Sequence, residues 1–472
     1  MSKRRFVNIF WLFFGNFGLI ILSVFSFFSF AFFLTPTELG LGTLAIVLCE
    51  LVSSFYCSVF ESPLVRKNAH SKKELSTVFW FGGLTSGLSI LGIAAIYFII
   101  DSESSVWKML IFSTIAVVTS IFARPYIAKL RCKREFKTLA LRSLWGKVIG
   151  AILGIACAYL GGGEWSLIIQ LTTMNAVAFL ILLTTDEPLF NQKPCERTFV
   201  LICREGMPIG FRKLLSGLFG RGIVIILSIV ATPAIIGFYS FGRRLVELPK
   251  QALLTGINSY AMPVFSGRTS NPVVVGHLFK ELTICVFMLT LPVFVFMGIF
   301  GKEVITDIFG TKWSGATTFF IIFALISGLQ MIIAFTETLQ AAFGKSNIGL
   351  KADTIKTFIL LIFTYFIIEE FGILGVAAAI GLDFLCNLVI GYYAVYRLLK
   401  TVDVDFWTDA LKVLVATTVT AAIASFAIEE LPPSLLFLIG ISSASIIMQA
   451  SMLFVFFGMW PKRILKLLTD SH

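Results

Sequence analysis

Apolar residues in this chain run in blocks of about twenty, and no other feature restricts its fold so strongly. A helix of that length crosses the roughly 30 Å hydrocarbon layer of a bilayer. Fourteen blocks are predicted as spans, centred near Leu22, Ser53, Gly87, Thr114, Leu153, Asn175, Val224, Gln251, Leu291, Gly328, Leu361, Gly381, Thr418 and Ser442. Charged residues make up only 14% of the chain. Soluble domains carry roughly 25%, so too little polar surface is left to face water. Strand-like alternation over about ten residues is missing, which argues against an outer-membrane barrel. The first block, residues 9–34, is too long for a signal-peptide core and has no Ala-x-Ala site, so it is expected to be retained. The eight cysteines form no Cys-x-x-Cys pair and read as small packed hydrophobes. The expected fold is an all-α polytopic membrane protein.

Charge orients these spans. Of the 38 basic residues, 29 fall in alternate connections, with the largest group at Lys129, Arg131, Lys133, Arg134, Lys137, Arg142 and Lys147. The intervening connections hold only Lys108, Lys302 and Lys312, and are rich in acids such as Asp101, Glu103, Glu164, Glu303 and Asp307. The positive-inside rule then places every strongly basic connection and both termini in the cytoplasm. The net charge of +11 is topological in origin. It is spread over many short loops, which argues against nucleic-acid binding.

The chain also repeats itself. Thr35-Pro36-x-x-Leu39-Gly40 follows the first span and Thr232-Pro233-x-x-Ile236-Gly237 the seventh; residues 35–51 and 232–248 share six identities without gaps. Six spans separate the copies, so both enter the membrane from the same side, as parallel repeats do. Two six-helix lobes related by a pseudo-twofold axis along the membrane normal are expected. The lobes cover residues 1–190 and 206–400, with a cytoplasmic linker at 191–205. Residues 401–472 hold two appended helices and a tail.

A charge at mid-bilayer costs about 2.5–3.5 kcal/mol, so such residues mark a cavity or a pair. The eighth span carries Arg243, Arg244, Glu247 and Lys250; with Tyr239, Gln251, Thr255 and Asn258 most of these follow a three- or four-residue spacing on one helical face. The stripe either lines a substrate path or neutralises itself through Arg243–Glu247 and Glu247–Lys250 pairs. The second reading leaves two cations over. Glu50 is the repeat mate of Glu247. It reads as a proton-coupling carboxylate or as a partner for Arg243, Arg244 or Arg221. Arg221 sits among Gly217, Gly220 and Gly222, where close backbones leave room for a ligand. Arg124, beside Pro125, is either an interfacial anchor or a substrate contact. Glu337 and Asp383 are coupling candidates or helix–helix hydrogen-bonding groups. No P-loop exists, because Leu339 stands where the first glycine before Gly344-Lys345-Ser346 belongs, and no His-Glu-x-x-His occurs. With no metal, cofactor or nucleophile constellation and only short outer connections, a non-enzyme is expected rather than a membrane glycosyltransferase or polymerase.

Several stretches, in this order, resemble one family: Leu34-Thr35-Pro36-x-x-Leu39-Gly40; Arg134-Glu135-Phe136-Lys137-x-Leu139-Ala140; Gly161-x-Gly163-x-Trp165-Ser166-Leu167; Ile236-Gly237-x-Tyr239-Ser240; Arg244-Leu245-x-x-Leu248-Pro249; Phe309-Gly310-x-x-Trp313; Ala342-x-Gly344-Lys345; and Gly372-x-x-Gly375-x-Ala377. The family is the Wzx-like O-antigen and polysaccharide flippases of the multidrug/oligosaccharidyl-lipid/polysaccharide (MOP) exporter superfamily. The resemblance implies a monomeric inner-membrane flippase for polyprenyl-diphosphate oligosaccharides of O-antigen, capsule or exopolysaccharide. It implies alternating access, ion-gradient coupling, and delivery to glycan polymerase or export machinery. The family's cationic cavity maps onto Arg243, Arg244, Lys250 and Arg221. A multidrug or cation exporter and a lipid II flippase are the rival readings within the superfamily.

Overall fold

The computed structural model describes residues 3–67, 71–185, 193–345, 348, 350–400 and 404–430. Every regular element among them is helical. The chain divides into two compact units, residues 1–240 and 241–472. The first contains α1 (Lys3–Phe33), α2 (Pro36–Lys67), α3 (Lys72–Ile100), α4 (Val106–Lys133), α5 (Phe136–Tyr159), α6 (Trp165–Thr185), α7 (Glu196–Val230) and the start of α8 (Pro233–Ser266). The second contains the rest of α8, then α9 (Pro272–Ile299), α10 (Gly301–Phe309), a 3-10 turn (Thr311–Ala316), α11 (Thr317–Gln330), α12 (Thr336–Ala342), α13 (Leu350–Phe371), α14 (Ile373–Leu399) and α15 (Val404–Glu430).

Helix occupies thirteen of the fourteen expected positions, and the fourteenth, near Ser442, lies outside the described residues. Among the described residues, 11 segments are long and apolar enough to cross a membrane. The protein is a multi-pass membrane protein. The long helices α8 and α13 are not among the 11; they carry the polar and charged side chains taken up below.

One expected span is broken. The block around Gly328 is α11 and α12, interrupted by a 3-10 turn at Met331–Ile333. A break inside a membrane leaves carbonyls that lipid cannot satisfy. Here the buried Tyr392 hydroxyl donates to the Ile332 carbonyl at 2.8 Å. Sequence periodicity carries no trace of a partner sixty residues away.

In the first unit α3 packs on α4, α5 on α6, and α2 against both α4 and α7. Phe60, Phe79, Ile121, Tyr126 and Phe179 centre the apolar core, with Phe79 stacked on Phe122 at 4.1 Å. Gly146, Gly150 and Gly154 form a stripe along α5 that faces the α6 backbone; a Cβ on Gly146 would lie 2.6 Å from the Met174 carbonyl oxygen. Lipid is as apolar as leucine, so such small-residue stripes supply close contact between helices. In the second unit α9 packs on α11 and α15, and α13 on α14. The Phe309-Gly310-x-x-Trp313 motif is an anchor: the buried Trp313 ring stacks on Phe241 of α8 at 4.1 Å.

Orientation can be checked at Cys195, the residue before α7. Its amide donates to the Thr77 hydroxyl at 3.0 Å. Hydrogen bonding by the Thr198 hydroxyl, aided by the Thr198 amide and the Lys73 charge, pulls the thiol down to about 7. The thiolate is the nucleophile. Its fraction climbs with pH and passes its midpoint near pH 7, earlier than for an ordinary thiol near 8.5. With Cys195 as the sole cysteine, alkylation by a membrane-impermeant maleimide should follow that curve, and Thr198→Val should move it to higher pH. If the basic connections face the cytoplasm, labelling occurs in inverted vesicles and not in right-side-out ones.

Candidate functional site

Both copies of the repeat begin a helix in the same way. Pro36 and Pro233 occupy first helical positions, where the missing N–H costs nothing. Thr35 caps α2, with its amide donating to Glu38 Oε2 at 2.7 Å and its hydroxyl accepting from the Glu38 amide at 3.4 Å. One turn on, the glycines face the opposite copy. A Cβ on Gly40 would fall on the Pro233 carbonyl oxygen, and one on Gly237 on the Pro36 carbonyl oxygen. The contact is reciprocal, as it is for helices exchanged by a local two-fold. It seats the α8 start directly on α2.

On α2, three turns beyond that crossing, Glu50 accepts from Arg221 Nε of α7 at 3.3 Å. Of the three partners expected for Glu50, this is the one observed. The room left by Gly217 is taken by the Arg221 guanidinium itself, which folds back over it. The close α2–α7 approach that sets this pair depends on Gly206 and Gly210, where a Cβ would collide with Val59. Arg124 meets Glu61, at 2.7 Å, and Arg131 takes the other Glu61 oxygen at 2.6 Å.

In the second unit, Arg243 Nε lies 3.4 Å from Glu247 Oε2 on α8, as their spacing suggests. Lys250 donates to Gln330 Oε1 of α11, a neutral partner that leaves its charge in place. Further along α8, Thr338 of α12 donates to Asn258 Oδ1 at 2.7 Å. Arg244 is exposed and Arg243, Glu247 and Lys250 are partly so. Tyr239, on the same expected face, is fully buried. Glu337, in the first turn of α12, is exposed. Asp383 of α14 binds Lys356 of α13 through Oδ1 at 2.9 Å, a charge contact without hydrogen-bond alignment. Lys356 donates to Asn387 Oδ1 at 2.7 Å, and Asn387 Nδ2 donates to Asp383 Oδ2 at 3.0 Å.

A family model described as polysaccharide biosynthesis protein matches residues 30–318, more than half of the chain. The chain belongs to this family. Among solved structures it is similar to the lipid II flippase MurJ in an inward closed conformation, with 16% identity and a TM-score of 0.76 over 95% of this chain and 99% of that one. It is also similar to an inward-facing multidrug resistance MATE transporter of the MOP superfamily, with 15% identity and a TM-score of 0.60 over 82% of this chain and 96% of that one. At these identities the likeness establishes the fold. Comparison with curated proteins gave no match.

The matched segment of this polysaccharide biosynthesis protein holds Glu50, Arg124, Arg221, Arg243, Arg244, Glu247 and Lys250, and ends before Glu337 and Asp383. Sequence reasoning passed over Glu61, Gln330, Lys356 and Asn387. Glu61 had a signal: it follows Glu50 by eleven residues, three helical turns, and so shares its face. Lys356 had a weaker one, since it follows Lys345 and Lys351 and reads as the end of a basic connection.

Proposed function

We propose that this protein carries polyprenyl-diphosphate-linked oligosaccharides across the bacterial cytoplasmic membrane by alternating access, performing no chemistry on them. The observation that carries the proposal is the cationic segment of α8 in a membrane protein of a polysaccharide biosynthesis family. Arg243, Arg244 and Lys250 outnumber Glu247, and all four are at least partly accessible. A diphosphate entering the membrane loses its water and needs charge-assisted donors in return; guanidinium forks match its oxygens two at a time. Arg221, presented by Glu50, is a further donor of this kind.

Glu50 and Glu247 compete with the substrate for Arg221 and Arg243. Protonating either carboxylate releases its arginine to the diphosphate, which gives a proton gradient a way to bias binding. The handoff is then to glycan polymerase or export machinery on the far side, with the transporter acting as a monomer. A net positive substrate segment disfavours the export of cationic drugs. A lipid II flippase is the second reading, favoured by the TM-score of 0.76 to MurJ and by the shared diphosphate chemistry.

Arg243→Ala should reduce surface glycan at least tenfold, about 1.4 kcal/mol or more of lost stabilisation, at unchanged protein level in the membrane. Arg243→Lys should retain part of the activity. Wild-type glycan in Arg243→Ala would remove this residue from the mechanism. Depletion decides between the readings: accumulation of lipid-linked glycan repeats with continued growth supports the first, and accumulation of lipid II with growth arrest the second.

A further inference from the structure

We propose that Arg124, Arg131 and Arg142 form a binding site for a phosphate-bearing anion in the first unit, at the end where α4 turns into α5. Both Glu61 oxygens are engaged, with Oε2 2.7 Å from Arg124 Nη1 and Oε1 2.6 Å from Arg131 Nη1. Arg142 of α5 adds a third guanidinium within electrostatic reach of Arg124, Arg131 and Glu61. Its Nε is enclosed and has no hydrogen-bond partner among the described residues. Among the described residues, one carboxylate thus serves three permanent cations.

Enclosed cations in excess are costly in a membrane protein unless an anion joins them. The cluster is also graded for entry. Side-chain exposure rises from 10% at Glu61 to 24% at Arg124 and 52% at Arg131. An anion arriving from the surface meets Arg131 first and reaches the enclosed nitrogens behind it. Three planar guanidiniums suit the several oxygens of a phosphate better than a single-point halide. Basic pockets between membrane helices capture anionic lipid headgroups in this way, and a soluble phosphate offers the same oxygens. The site uses none of the residues of the α8 stripe or of the Glu50–Arg221 pair, and it holds whether or not the transport proposal does.

The test is thermal unfolding of the purified full chain in neutral detergent, with two anion sources supplied separately. One is mixed micelles containing phosphatidylglycerol, with phosphatidylcholine micelles as control. The other is sodium pyrophosphate, with sodium chloride of equal ionic strength as control. At least one source should raise Tm by roughly 3–5 °C over its control. A shift in the lipid arm alone assigns a headgroup, a shift in the pyrophosphate arm alone a soluble ligand, and shifts in both the shared phosphate chemistry.

Arg142→Gln should hold or raise Tm without anion, since it removes an unpaired charge, and should lose the shift. A merely structural Arg142 would show the opposite: lower Tm and an intact shift. Arg131→Gln, at the exposed mouth, should weaken anion affinity about tenfold and decides the matter if Arg142→Gln does not fold. No shift in the wild type with either anion, or an undiminished shift in every variant that folds, overturns the proposal.

Discussion

Lys356→Met should lower stability by about 3–5 kcal/mol, the cost of removing one member of an enclosed ion pair. Side-chain exposure is 11% for Lys356 and 17% for Asp383, so little solvent reaches either group. In the variant, the Asp383 carboxylate keeps the Asn387 amide at 3.0 Å and loses the cation. Asp383→Leu strands the ammonium in the same way, leaving it the Asn387 carbonyl and the electrostatic pull of Asp353. The double variant Lys356→Met/Asp383→Leu removes both charges at similar volume and should recover most of the loss. Thermal unfolding of the four proteins closes the cycle. A double variant as unstable as the two single effects added would show that the ion pair is not the source of the loss. Glycan export by a stable double variant separates roles: retained export makes the pair architectural, and lost export brings Asp383 into the transport cycle.

The reach of the sequence can be judged from the same residues. Helix count and spacing were legible because a block of about twenty apolar residues has one stable form in a bilayer. The break at Met331–Ile333 was not, since it depends on the Tyr392 hydroxyl arriving from α14. Within the candidate site, Arg243–Glu247 was readable as a one-turn spacing on a single helix. Glu50 was readable as an ion-pair member, but its partner was fixed by α2–α7 packing, which Gly206 and Gly210 permit. Lys356 and Glu61 lie near the ends of their spans, where charge is ordinary, and only tertiary contact distinguishes them from interfacial residues.

Alanine at Gly40 should be far more damaging than alanine at Gly92, although both glycines lie in helices of the first unit. A Cβ at Gly92 meets nothing within 4 Å. There the change should stabilise by about 0.4–1 kcal/mol, through helix propensity and a less disordered unfolded chain. At Gly40 the Cβ collides with the Pro233 carbonyl oxygen, a backbone atom that cannot rotate away. The helix starts must separate, at a cost of about 3 kcal/mol, the upper part of the range for overpacking. Gly237→Ala should cost a similar amount against the Pro36 carbonyl oxygen. Because the two collisions occur across one junction, the separation that admits the first methyl also makes room for the second. The double variant should therefore cost well under the sum, with a coupling of about 1 kcal/mol or more. Unfolding measurements on the three variants and Gly92→Ala test this together. Full additivity would mean that the two glycines serve independent contacts, and equal tolerance at Gly40 and Gly92 would mean that the α2–α8 crossing is not a backbone contact in the membrane.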